Sequence, residues 1–147
     1  MAPRRKSGPR IIEAIDDYDP MHMDDNTAGH YSWFYAMVPR RDLVGMIGTE
    51  EDCLQGFASR MTKRDWTQWA DDEADDSIVD TGYDRMESLA DYWLPDPERN
   101  PIEVTYENDM KCLAIWDGHH RTALAVITEM DEVPAYVGLP KVGEHGD

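Results

Sequence analysis

Residues 113–124 read Leu113-Ala114-Ile115-Trp116-Asp117-Gly118-His119-His120-Arg121-Thr122-Ala123-Leu124. Four apolar residues end at Asp-Gly, and apolar residues at helical spacing follow, with Leu124, Ala125, Ile127 and Thr128 facing a core. The pattern predicts a strand, a tight turn and a helix over His119–Met130. A helix N-terminus carries unpaired backbone N–H groups and a partial positive charge, so it attracts anions. Gly118 permits a tight turn and a close approach of a phosphate to the backbone. Arg121 offers a planar charged fork suited to phosphate oxygens, and His119 and His120 can donate hydrogen bonds or shuttle protons. Asp117 is a candidate magnesium ligand or base. The structural alternative is an Asp cap, an Arg paired with an acid and a buried histidine.

Outward from this turn, Ile102–Tyr106 alternates as a strand, Lys111–Trp116 reads as a second strand, and Glu107-Asn108-Asp109 between them predicts a hairpin. Val133–Val137 predicts a last short strand, in which Pro134 points to a sheet edge or to the strand's first residues. Upstream, Met86, Leu89, Ala90, Trp93 and Leu94 form an amphipathic helical pattern stopped by Pro95 and Pro97. Tyr31–Val38 reads as an aromatic strand, Ile11–Tyr18 as a short helix or strand, and Asp19–Gly29 as a polar loop. Thr49-Glu50-Glu51-Asp52 reads as a helix start, followed by Cys53, Leu54, Phe57, Ala58 and Met61 on one face. Trp66 and Trp69 share a second helical face, and the acidic run 71–76 reads as solvated.

Composition sets bounds on these readings. The chain has 147 residues, the size of one domain, and 41% hydrophobic residues, enough for one core without disulfides. Cys53 and Cys112 form no pattern and read as small buried hydrophobes in a reducing cytoplasm. No secretory signal and no stretch of membrane-spanning length is present.

Fourteen basic and 31 acidic residues give a net charge of −17. Residues 1–10 hold four of the bases and read as a disordered tail, so the remainder, 10 against 31, carries −21. Such a body repels nucleic acid, and direct DNA binding is disfavoured. It still permits a nucleotide in one local positive pocket. The same charge also suits a non-catalytic interaction protein that binds a basic partner, or a plasmid- or phage-type DNA-mimic decoy with a vestigial pocket.

Pro101-Ile102-Glu103-Val104, the strand ending Trp116-Asp117-Gly118-His119-His120-Arg121, and Val133-Pro134-Ala135-Tyr136-Val137 together resemble the ParB/sulfiredoxin-like superfamily. The likeness is clearest over residues 82–139. Met37-Val38-Pro39-Arg40-Arg41-Asp42-Leu43 is similar to that family's early strand and its exit. The resemblance implies an α+β domain over 11–139, a small mixed sheet with packed helices, followed by a tail at 140–147. It also implies that Gly118, His119, His120 and Arg121 line the phosphates of ATP, ADP or CTP with Mg²⁺, in an NTPase or phosphotransferase.

His119 stands where sulfiredoxin-type members place a reactive Cys, which argues against sulfinic-acid reduction. The Asp-Gly-His-His-Arg form is that of the free-serine kinase branch. That branch needs an upstream carboxylate base, for which Glu50, Glu51 and Glu98 are candidates. Arg40 and Arg41 are candidates to complete the phosphate pocket. His22, Asp24 and His30 match no zinc spacing, and Tyr31, Trp33, Phe34 and Tyr35 read as core rather than as base-stacking platforms.

Overall fold

Alternating apolar residues in β2 (Tyr31–Pro39) and β6 (Glu132–Pro140) pair antiparallel along their full lengths, from Tyr31 opposite Pro140 to Pro39 opposite Glu132. The computed structural model describes residues 8–20, 23–48, 64, 66–68, 90–107 and 112–141. Around that pair lie β1 (Arg10–Ile15), the two-residue β3 (Ile47–Gly48), β4 (Ile102–Glu107) and β5 (Cys112–Asp117), in the order β1-β2-β6-β4-β5-β3. The β4–β6 and β3–β5 pairs are parallel and the others antiparallel, so the sheet is mixed. The fold is a small single-sheet α+β fold, with five strands of six residues or more and the short β3 at one edge.

The expected β4–β5 hairpin pairing is present. Helix α3 (His119–Ile127) follows β5 after a single residue. It stops short of Met130 because Glu129 takes φ 60°, Met130 N–H bonds Ala125 C=O at 2.9 Å and Glu129 N–H bonds Val126 C=O at 3.1 Å. This is a Schellman stop with Glu129 where glycine usually sits, so no glycine marked it in the sequence.

Several expectations change. β6 is central, and Pro134 fits because β4 begins to pair only at Ala135. Asp19–Gly29 contains the helix α1 (Asp25–Ala28), capped by the Asp24 carboxylate on Thr27 N–H at 2.7 Å. The supposed basic tail joins the sheet before it ends: Gly8 N–H bonds Asp42 Oδ2 at 2.8 Å, and Arg10 opens β1 and pairs with Glu132. Cys112 is disulfide-bonded rather than a free thiol, so it does not argue for a reducing compartment. The helix expected after Thr49, Cys53, Trp69 and the run 71–76 lie outside the described residues.

Helices α2 (Arg40–Gly45) and α3 cover one face of the sheet, burying Leu43, Ile102, Val104, Tyr106, Leu113 and Val126 with Trp66 and Trp93. Trp66 lies in this core, and its indole N–H bonds Leu43 C=O at 3.3 Å. The other face carries the polar residues of β4, Glu103, Thr105 and Glu107. It is buried as well, because β4 lies between two strands and aromatic side chains lie over it. A buried polar group needs a partner, and each one here has an aromatic donor. Tyr18 O–H donates to Glu103 at 2.5 Å, Trp116 Nε1–H donates to Thr105 Oγ1 at 2.9 Å, and Tyr31 O–H donates to Glu107.

No described helix is long and apolar enough to cross a membrane.

Candidate functional site

The strand register brings the turn beside unexpected neighbours. Tyr35 pairs with Tyr136, Tyr136 with Glu103, and Glu103 with Asp117, so one row crosses four strands and ends at the turn. The register shifts between Glu103 and Val104, leaving Trp116 and Asp117 together opposite Glu103. A bulge of this kind re-aims side chains at a strand end.

Gly118 caps α3 with φ 105°, a conformation that favours glycine. A β-carbon there would lie 2.5 Å from Ile102 Cγ2. Gly118 is therefore required by packing against β4, whether or not a phosphate approaches. Thr122 closes the first turn: its N–H and Oγ1 both bond Gly118 C=O at 2.8 Å.

Arg121 differs most from the sequence reading. Its side chain is 9% exposed, and its fork is already engaged. One terminal nitrogen donates to the carbonyls of Asn100 and Pro101 at 2.7 and 2.8 Å, and the other donates to Asp117 Oδ2 at 3.0 Å. Arg121 thus ties the loop before β4 to the turn, in the manner of a structural guanidinium. Asp117 is the acid it neutralises.

His119 is exposed and His120 half-buried at the opening of α3. Desolvation of the His119 imidazole lowers its pKa, the neighbouring His120 lowers it further, and Asp117 partly offsets both. His119 is therefore mainly neutral at pH 7, a hydrogen-bond donor and a proton acceptor rather than a fixed charge. The first turn of α3 contains no acidic residue, and its glycine cap supplies no side-chain acceptor to the helix amides.

Arg40 and Arg41 do not join this group. Arg40 donates to the carbonyl of Met130, beyond the C-terminus of α3, at 3.1 Å. A nine-residue helix is about 13 Å long, which separates Arg40 from His119 by that order. Arg41 lies 4.0 Å from the buried Asp42. Glu98, a candidate base, sits in a short 3₁₀ turn (Pro97–Arg99) and accepts from Tyr35 O–H at 3.1 Å. Glu50, Glu51 and His22 lie outside the described residues, and Asp24 is spent as the cap of α1.

Glu103 and Tyr18 were missed. Glu103 was read only as part of an alternating strand, and Tyr18 as the end of a short helix or strand. The structure buries Glu103 to 3% exposure and seats Tyr18 on it. Burial, then the hydrogen bond to Glu103, raise the phenol pKa of Tyr18 strongly.

Among the described residues no group of three His, Cys, Asp or Glu side chains is placed to hold a metal ion. Asp117 gives one carboxylate oxygen to Arg121, and Glu103 is buried and held by Tyr18. Magnesium at a nucleotide usually takes one or two carboxylates and fills its other positions with waters and phosphate oxygens, and Asp117 is the turn's carboxylate for such a role, its side chain 35% exposed.

No protein family, characterised protein or solved structure matches the chain.

Proposed function

We propose that the protein binds the phosphates of a nucleotide at the N-terminus of α3. The observation that carries this reading is the first turn of α3. In a chain with 31 acidic residues, that turn has two histidines, a glycine cap and no acid. Its backbone amides and partial positive charge suit an anion, and the nearest carboxylate, Asp117, is neutralised by Arg121. The resemblance of this stretch to the nucleotide-binding turn of ParB/sulfiredoxin-like proteins supports the same reading.

His119 and His120 donate to the phosphates, the first-turn amides of α3 join them, and Arg121 is a positioning residue that fixes the turn. Asp117 would hold the Mg²⁺ that accompanies such a nucleotide, and no step is assigned to the ion. Hydrolysis or phosphoryl transfer rests on the resemblance alone and is read out by product analysis.

Calorimetric titration with ATP, ADP, CTP and GTP, with and without Mg²⁺, tests the reading. Saturable binding that weakens in both His119→Ala and His120→Ala is expected. A folded protein that gives no heat with any nucleotide, or variants that bind like the parent, would refute it. The first of these outcomes favours a non-catalytic acidic protein that binds a basic partner.

A further inference from the structure

A cleft of about 520 Å³ opens between the end of β1, α1 and the start of β2, and none of residues 117–121 lines it. Its volume lies in the ordinary range of small-molecule sites, roughly 300–1,000 Å³. The lining combines Tyr18, Tyr31, Trp33 and Phe34 with the carboxylates of Asp16, Asp17 and Asp25, against one base, Lys141. The three carboxylates are on exposed residues, and Trp33 is buried.

The hydroxyls of Tyr18 and Tyr31 are committed elsewhere, to Glu103 and Glu107 under the sheet. Those two tyrosines therefore meet the cleft as rings rather than as hydroxyl donors. Trp33 is fixed between Tyr18, 4.8 Å away centroid to centroid, and Tyr31, 5.8 Å away. Its indole N–H is held by Ala28 C=O at 3.2 Å, which sets the ring against α1.

We infer that this cleft is a second binding site, for a small organic ammonium ion. Aromatic rings attract a cation through the ring quadrupole, and the rim carboxylates add Coulomb attraction. An alkali ion feels the same carboxylates but is held by its own water and gains less from the rings, so the rings supply the selectivity. The inference is independent of the nucleotide reading, since it uses a different opening and the opposite charge.

The test is an NMR titration of the full chain with tetramethylammonium and with n-butylammonium, following the Trp33 indole N–H. Sodium is added in place of the ammonium ion as a control at matched ionic strength. A saturable shift with at least one ammonium ion is expected. The double variant Asp17→Asn/Asp25→Asn, both at exposed positions, should weaken it about fivefold or more. Tyr18→Phe, which keeps the ring, should bind within about twofold of the parent. The inference is overturned if neither ion shifts the Trp33 signal, if sodium shifts it equally, or if the double variant binds as tightly as the parent.

Discussion

Ile102 fills the space in which any side chain at position 118 would have to stand. A β-carbon on Gly118 would meet Ile102 Cγ2 at 2.5 Å and Ile102 Cβ at 2.9 Å. The first residue of β4 and the cap of α3 are thereby locked together, and this contact holds the opening of α3 against the sheet.

Gly118→Ala is expected to destabilise the protein by about 2–4 kcal/mol, from the strain of φ 105° added to the clash with Ile102. Urea unfolding of the variant against the parent measures the loss. A change below about 0.5 kcal/mol would mean that the turn relaxes freely.

Arg121→Ala is expected to cost about 2–4 kcal/mol, because it leaves the Asn100 and Pro101 carbonyls and the Asp117 carboxylate without their donor. Arg121→Lys should recover only part of this, since an ammonium lacks the fork that reaches both sides. His119→Ala, at an exposed position, should leave stability within about 0.5 kcal/mol of the parent. Thermal melts of the three variants separate a positioning role for Arg121 from a direct phosphate contact.

Phosphate affinity should rise as pH falls below neutrality. Free His119 has a lowered pKa, with His120 and Asp117 as its charged neighbours. A bound phosphate favours the protonated imidazole, so binding takes up a proton. Titrations across the mildly acidic range should show the trend in the parent and a flatter profile in His119→Ala. Without ligand the sign reverses for folding: the stability due to neutral His119 is present above the ordinary value of 6.5 and is lost as pH falls.

Stability should fall in alkali. Burial and carboxylate neighbours raise the phenol pKa of Tyr18 and Tyr106 strongly, and that of Tyr35 is pushed up to about 12. Below the ordinary value of 10.0 these phenols are neutral in both states and contribute no pH dependence. Above it the unfolded chain ionises first, so stability declines as pH rises towards the folded values. Urea unfolding from about pH 8 to about pH 11, beside tyrosinate absorbance of the folded protein, checks this. Tyr18→Phe should reduce the slope.

The strand–turn–helix was legible in the sequence because short-range chemistry specifies it. A short continuous apolar run makes β5, Asp117-Gly118 favours a turn, and the apolar spacing after His119 is helical. The hairpin pairing of β4 with β5 and the aromatic strand β2 were legible for the same reason. Glu129 acts through backbone geometry that has a weak composition signal, and α1 is only four residues long within a polar segment, so the end of α3 and the existence of α1 were not.

Partner choice lay beyond the sequence. Local pattern left Arg121 either a phosphate fork or the partner of an acid, and only the arrival of the Asn100–Pro101 loop beside α3 shows that its fork is occupied. Glu103 reads only as part of an alternating strand until β6 and β5 flank that strand and Tyr18 comes to rest on Glu103. Arg40 and Arg41 seemed near the turn by function, yet the chain path puts Arg40 at the far end of α3. The sequence by itself determined the elements and the anion-attracting opening of a helix, because propensity, capping and periodicity act over a few residues. Tertiary structure alone decided which charges are neutralised, which carboxylates are buried and which rings line the cleft. Those outcomes depend on contacts between residues about twenty to a hundred and twenty positions apart.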